Sequence, residues 1–343
     1  MRVFLGPNPI AGVLWEYRKG LRRLGIDARV VIREAHPFGY PFDEVYELKG
    51  GRIRQTCWEL NHLARFLRHF DIFHFVFGAS LVHKHLDVPV LKLARKKIVM
   101  SFLGSDIRCS TPVLEGKIDR KDCNYCKHPC RLSTKKKMVK FWARNADAIF
   151  SGLTNSQLLD FYSIPYHPIV LPIDIKYWKP FESNFYTKEK DETLIVHAPS
   201  NMRVKGTSII VKDIRKLKRK YKINFKLLHD MPNSVVREWL NKADIIIDQF
   251  GPGWHGKLSV ESMALGKPTL CYINNEYKLR HPQFSNLPIV NITPNNLYEM
   301  LESLINDPSL RERIGLASRK YVEKVHDSRI VCKKLLNIYQ GLI

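Results

Sequence analysis

Short apolar runs alternate with amphipathic stretches from one end of the chain to the other. Runs rich in Val, Ile and Phe predict strands at 2–5, 28–32, 71–77, 97–102, 148–151 and 168–171, then at 193–197, 224–228, 243–249, 268–272 and 288–292. Continuous rather than alternating apolar character is what strands buried on both faces require. Between them, apolar residues recur at three- and four-residue spacing, the helical period. In the first such stretch Leu14, Tyr17, Leu21 and Leu24 form one stripe, Glu16, Arg18, Lys19, Arg22 and Arg23 fall outside it, and Gly25 is placed to end the helix. This alternation implies βαβ units and parallel sheets with helices on both faces.

Two stretches break the rhythm. Residues 179–192 are polar and aperiodic, and read as an interdomain linker. Residues 107–131 are also aperiodic and too long for an ordinary strand-to-helix connection. The chain closes with two long amphipathic helices, at about 308–325 and 327–339. A length of 343 residues suits two domains. The expected division is 1–180 with a Cys-rich insertion at about 107–131, then 181–325, then a helix at 326–343.

Charge changes the picture of the surface. A formal net charge of +23 draws the protein toward polyanions. One basic cluster runs from Arg215 to Lys222 and another comprises Lys135, Lys136, Lys137 and Lys140; the second is the better candidate for peripheral contact with an anionic membrane. No base-reading motif accompanies the charge, so no specific nucleic acid is expected. No apolar run reaches the roughly 18 residues of a membrane span. Together these features predict a cytoplasmic protein, at most peripheral at the inner face of the membrane.

Four of the seven cysteines cluster: Cys109, Cys123, Cys126 and Cys130 have a spacing compatible with a tetrahedral thiolate zinc site, with unligated thiols as the alternative. Cys57, Cys271 and Cys332 stand singly among apolar residues and are expected to pack as small hydrophobes.

The densest chemistry lies in ADIIIDQFGPGWHGKLSVESMALGKP, residues 243–268. It reads as a buried strand, a glycine-rich turn and a helix. Gly251, Gly253 and Gly256 allow close backbone approach to a ligand. The helix would aim the free amides of Lys257, Leu258 and Ser259 at an anion, aided by its dipole. Glu261, one turn further in, could accept both hydroxyls of a ribose. His255 stands inside the turn, and His197 and His229 lie near strand ends, where open α/β sheets bind ligands.

The run of Gly256 and Glu261–Ser262–Met263–Ala264–Leu265–Gly266–Lys267–Pro268 resembles the C-terminal signature of retaining GT-B glycosyltransferases of the group 1 or family 4 type. The resemblance implies two Rossmann-like domains with parallel sheets facing a central cleft, and the last helix packing back on the N-terminal domain. It implies a hexosyltransferase-type enzyme, acting in cell-envelope polysaccharide synthesis, that moves sugar from a nucleotide-diphosphate sugar to a glycan or lipid-linked acceptor with retention. No metal is implied for the chemistry. By this resemblance Glu261 binds the ribose, while the family's first glutamate falls at Gly253, with Asp248 and Gln249 as the nearest polar substitutes. Lys205 and Arg203 match the cations that clamp the donor diphosphate and stabilise its developing charge. Gly12 matches the small-residue loop that reaches the donor from the first domain. The segment Gly104–Ser105–Asp106 resembles one that borders the acceptor; the family's histidine is replaced by Leu103, and Asp106 remains to orient substrate or accept a proton. His74 is expected to be a core histidine. Competing readings are a nucleotide-sugar epimerase or hydrolase, a degenerate sugar-binding protein without catalysis, and a basic nucleic-acid-binding module with a zinc knuckle.

Overall fold

Each apolar run contains or overlaps a strand, and every strand pairs in parallel with its neighbours. The computed structural model describes residues 1–46, 52–108, 131–152, 156–181, 192–280 and 284–343. The four clustered cysteines, 109, 123, 126 and 130, lie outside the described residues, as does 182–191 of the expected linker.

Among the described residues, 1–108, 131–172 and 328–343 form one unit and 173–327 a second. The first contains β1 (Arg2–Gly6), α1 (Val13–Arg23), β2 (Asp27–Ile32), β3 (Glu44–Val45), α2 (Arg52–His69), β4 (Ile72–Val76), α3 (Asp87–Leu93), β5 (Lys97–Phe102), α4 (Leu132–Asn145), β6 (Ala148–Ser151), α5 (Gln157–Phe161) and β7 (His167–Pro168). Its sheet runs β3-β2-β1-β4-β5-β6-β7. Right-handed crossovers put α3, α4 and α5 on one face, because β4, β5, β6 and β7 advance in one direction, and α1 on the other, because β1 to β2 advances in the opposite one.

The last helix, α13 (Ser328–Leu342), packs on α1 in this unit. Gly20 permits the contact: a Cβ there would lie 2.3 Å from Cys332 Sγ, so two helices meet where a side chain is missing. Cys332 fills the gap and is fully buried, as is Cys271 in the second unit. The ring of His74, on the central strand β4, bonds the Tyr339 hydroxyl at 2.5 Å and the Ser101 hydroxyl at 2.6 Å. Burial pushes its pKa down to about 3, so the ring is neutral and belongs to the core.

The second unit contains β8 (Thr193–His197), α6 (Met202–Lys205), α7 (Thr207–Leu217), β9 (Ile223–Leu227), α8 (Asn233–Lys242), β10 (Ile245–Ile247), α9 (Lys257–Ala264), β11 (Thr269–Cys271), α10 (Asn275–Arg280), β12 (Val290–Asn291), α11 (Leu297–Asn306) and α12 (Pro308–Val325). The sheet order is β12-β11-β10-β8-β9. Ile195, Ile245, Ile247 and Leu270 meet Ile214, Leu217, Leu297 and Leu301 in its core. No helix among the described residues is long and apolar enough to cross a membrane.

Three details differ from the sequence reading. Glu16 is buried within α1, its carboxylate 2.9 Å from Lys19, although the stripe excluded it. The two-residue strand β3 carries no periodic signal. The division falls at Pro172/Ile173 rather than at 180. Ile173 N–H bonds the His326 carbonyl, Trp178 is buried, and Arg319 of α12 donates to the Trp178, Ile175 and Ala264 carbonyls, which holds 173–178 in the second unit.

Candidate functional site

The strand order of the second sheet reverses between β8 and β10, since β9 lies beyond one and β11 beyond the other. At such a switch point the connections leave in opposite directions and open a crevice beyond the strand C-termini. Lys205, Asp248 and the turn before α9 converge there.

Asn201 caps α6 by accepting the Val204 N–H at 2.9 Å, and Gly206 ends it at φ 73°, the left-handed value glycine adopts without strain. This single turn carries Arg203 and Lys205, the latter largely buried. Lys205 Nζ donates to Asp248 Oδ1 at 2.6 Å. Asp248, fully buried one residue past β10, accepts on Oδ2 from Ser259 Oγ at 2.5 Å and from Gly256 N–H at 3.2 Å. Burial alone would raise its pKa; the charge and hydrogen bond of Lys205, with the Ser259 and Gly256 bonds, bring it below the usual carboxylate value. Asp248 therefore holds both Lys205 and the α9 N-terminus, which an anion would otherwise bridge.

This arrangement corrects two expectations. Asp248 is not a substitute for the missing sugar-contacting glutamate, because both its oxygens are committed within the protein. Gln249 is not one either: it is buried and donates to the Trp254 carbonyl at 2.6 Å, bracing the glycine turn. The Gly256 amide and Ser259 hydroxyl are already satisfied. The amides of Leu258 and Ser259 precede the first helical bond, Val260 N–H to Gly256 O, and so lie in the first turn, where an anion needs donors.

Glu261 lies in the second turn of α9, 4% exposed, with Asn233 Nδ2 donating to its Oε1 at 3.4 Å. Gly253 has φ 72°, and a Cβ there would come within 3.2 Å of Asn274 Cβ. A glutamate at that position would be strained in this turn. His255 packs its ring 5.3 Å from Trp254 and 5.4 Å from His326, and its Nδ1 is buried without a hydrogen-bond partner. Burial pushes its pKa down to about 4, leaving a neutral imidazole. An unsatisfied buried nitrogen of this kind calls for an explanation, and a ligand hydroxyl is one partner that would satisfy it.

His197 proves structural: Nδ1–H donates to the Ile247 carbonyl at 2.8 Å and Nε2 accepts from the Thr207 hydroxyl at 2.9 Å, tying β8 to β10 and α7. His229 lies beside Asp230 at 2.9 Å.

In the first unit, Gly12 caps α1 at φ 66°, and a Cβ would lie 3.0 Å from the Tyr40 ring. Asp106 is buried and turned back on its own loop, Oδ1 accepting Gly104 N–H at 2.7 Å and Oδ2 Leu103 N–H at 3.2 Å. Burial raises its pKa against the lowering effect of these amides. Its carboxylate thus forms the turn it was expected to serve from. Among the described residues no group of three or more metal-ligating side chains is found.

Known structures share this architecture over the whole chain. Sucrose-phosphate synthase from Thermosynechococcus elongatus is similar with a TM-score of 0.65 at 13% identity, covering 99% of this chain and 98% of that one. The catalytic domain of starch synthase IV from Arabidopsis thaliana, bound to ADP and acarbose, gives 0.64 at 12% identity, covering 100% and 99%. The chain has the GT-B fold. UDP-GlcNAc 2-epimerase from Neisseria meningitidis, bound to UDP-GlcNAc, is also similar, at 0.58 and 14% identity, covering 99% and 100%. No protein-family model matches the chain, and no curated protein matches it in sequence.

Proposed function

We propose that this protein is a retaining glycosyltransferase that moves a hexosyl group from a nucleotide-diphosphate sugar to a glycan or lipid-linked acceptor. One observation carries the reading: a buried glutamate, Glu261, stands in the helix that opens at a topological switch point, behind a glycine-rich turn. A carboxylate held there suits a vicinal diol, the chemistry of a ribose. The diphosphate would lie on the first-turn amides of α9, with Lys205 and Arg203 supplying positive charge. As the sugar–phosphate bond lengthens, negative charge grows on the leaving diphosphate, and fixed cations and amides favour that state over the ground state. His255 Nδ1 would meet a sugar hydroxyl. Gly12 would allow the loop before α1 to approach a ligand closely, and Asp106 would shape the acceptor loop. Starch synthase with ADP and the epimerase with UDP-GlcNAc show that this fold holds nucleotides of the proposed class in other proteins.

The test is a panel of nucleotide sugars read by thermal unfolding. A true donor at 100 times its dissociation constant adds about 2.7 kcal/mol, and Glu261→Ala removes the shift, read against the variant's own unliganded midpoint. A variant that still binds donor as well as wild type overturns the ribose assignment. The epimerase similarity keeps a second reading in play, conversion of the nucleotide sugar itself. Donor turnover with no acceptor present decides for that reading, and binding with no turnover under either condition decides for a sugar-binding protein.

A further inference from the structure

The layer formed by α2, α3, α4 and α5 on one face of the first sheet carries a surface that the donor site does not use. Leu86, Val90 and Leu93 recur at i, i+4 and i+7 along α3 and are 56%, 38% and 87% exposed. The opposite side of the helix buries Val88 and Leu91, so α3 is apolar on both faces and only one is covered. Around this ridge basic charge predominates, with Asp147 an exposed acid just past α4. Residues 83–97 contain Lys84, Lys92, Arg95, Lys96 and Lys97 against one acid, Asp87. That acid is buried, accepting from the Ser80 hydroxyl at 2.7 Å and the Leu81 amide at 2.8 Å, so it contributes no anionic surface.

Helix α4 continues the patch. It contains no acidic residue and exposes Lys137, Lys140 and Arg144. Contacts fix the two helices side by side: Lys92 Nζ donates to the Arg144 carbonyl at 3.1 Å, and the His85 ring stacks on Phe141 at 4.6 Å. On the far side of α4, Lys136 lies over the half-exposed ring of Phe161 at 5.9 Å. An apolar ridge set among cations with no exposed anion on either helix is complementary to a surface that is negative outside and hydrocarbon beneath. Nucleic acid would match the cations and leave Leu86, Val90 and Leu93 uncovered.

We propose that the α3–α4 face of the first unit docks on an anionic lipid bilayer, the ridge Leu86–Val90–Leu93 entering the headgroup boundary and the flanking lysines and arginines pairing with lipid phosphates. The inference is independent of the transferase reading, since it uses none of the donor-site residues. It extends the expectation drawn from Lys135–Lys140 by supplying the apolar element, and it excludes Lys135 itself, which is buried with Nζ donating to the Arg108 carbonyl.

The experiment is co-sedimentation of the full chain with phosphatidylcholine vesicles, with and without phosphatidylglycerol, across a salt series. Partition onto the anionic vesicles alone is expected. Leu86→Ser/Leu93→Ser should weaken it several-fold at every salt concentration, and Lys92→Gln/Arg95→Gln/Lys96→Gln should weaken it on the order of a hundredfold at low salt and flatten the salt dependence. Both sets change exposed positions apart from the half-buried Lys96, and the unfolding midpoint reports directly that the fold is kept. Leu279→Ser, at an 80%-exposed leucine of α10 in the other unit, should change nothing. The proposal is overturned by equal partition onto neutral vesicles, by a leucine pair variant that binds like wild type, or by Leu279→Ser weakening binding as much. Displacement by duplex DNA with no effect of the leucine pair would assign the patch to nucleic acid instead.

Discussion

Two buried aspartates stand just beyond strand ends, Asp106 after β5 in the first unit and Asp248 after β10 in the second, and they have opposite electrostatic fates. Asp106 is hydrogen-bonded by amides, with Arg108 adding only a lesser favourable charge, and its pKa rises with burial; Asp248 bonds a lysine directly and its pKa falls despite greater burial. Amides of a tight turn can satisfy a carboxylate's lone pairs, but they carry no net charge to offset desolvation. The first acid therefore shapes a loop, and the second fixes the position of a cation and a helix at once. Position in the fold makes both candidates for chemistry, while the partners decide what each can do.

The largest expected effect comes from breaking the second of these. Asp248→Ala leaves Lys205 largely buried without its counter-charge and strips partners from Ser259 and the α9 N-terminus. A loss of about 3–5 kcal/mol is expected in urea unfolding, since removing one member of a buried ion pair costs far more than the pair contributes. Combining Asp248→Asn with Lys205→Met should recover much of that stability and none of the donor-induced thermal shift. Recovery of both would show that Lys205 serves Asp248 alone.

How much of this was legible in the sequence follows from the range of the interactions. Strands and amphipathic helices are local patterns, and the runs at 97–102, 148–151 and 193–197 match strand boundaries to the residue. The glycine turn and Glu261 were legible because their spacing lies within one βα unit. The Lys205–Asp248 pair spans 43 residues and the Asn233–Glu261 contact 28, so no local pattern contains either. A signal for Asp248 does exist: an acid directly after the apolar run Ile245–Ile246–Ile247 calls for a buried partner, and the Lys205 loop belongs to the same candidate site. The apolar ridge on α3 has no such signal, because a helix that is apolar on two faces shows no single stripe.

The units can next be compared through their buried histidines. His74 in the first and His197 in the second are both neutral, with pKa values lowered by burial to about 3 and about 4. Unfolded, each takes up a proton near pH 6.5. Below that pH the unfolded state binds more protons than the folded one, so stability falls as pH falls, down to about 4 for His197 and about 3 for His74. The slope approaches about 1.4 kcal/mol per pH unit for each histidine. Urea unfolding followed between pH 7 and 4.5, roughly the window in which only the unfolded rings titrate, should show the loss, and His197→Gln should flatten it. An unchanged slope in that variant would mean that other groups carry the acid limb.

The smallest expected effect belongs to Asp106→Asn. An asparagine keeps one acceptor oxygen for Gly104 N–H but offers an NH2 group where Leu103 N–H needs an acceptor, a loss on the order of 1 kcal/mol. Set against this is relief of desolvation, because burial disfavours the charged form of the wild-type carboxylate and raises its pKa. The two terms oppose each other, so the unfolding midpoint should move little. Turnover then separates the possible roles. If Asp106 only forms the turn, kcat stays within a few-fold of wild type; if it also moves a proton, kcat falls by about 10²–10⁴ with the midpoint unchanged. Its hydrogen bonds favour the first outcome, because each oxygen already accepts a loop amide, Gly104 N–H at 2.7 Å and Leu103 N–H at 3.2 Å.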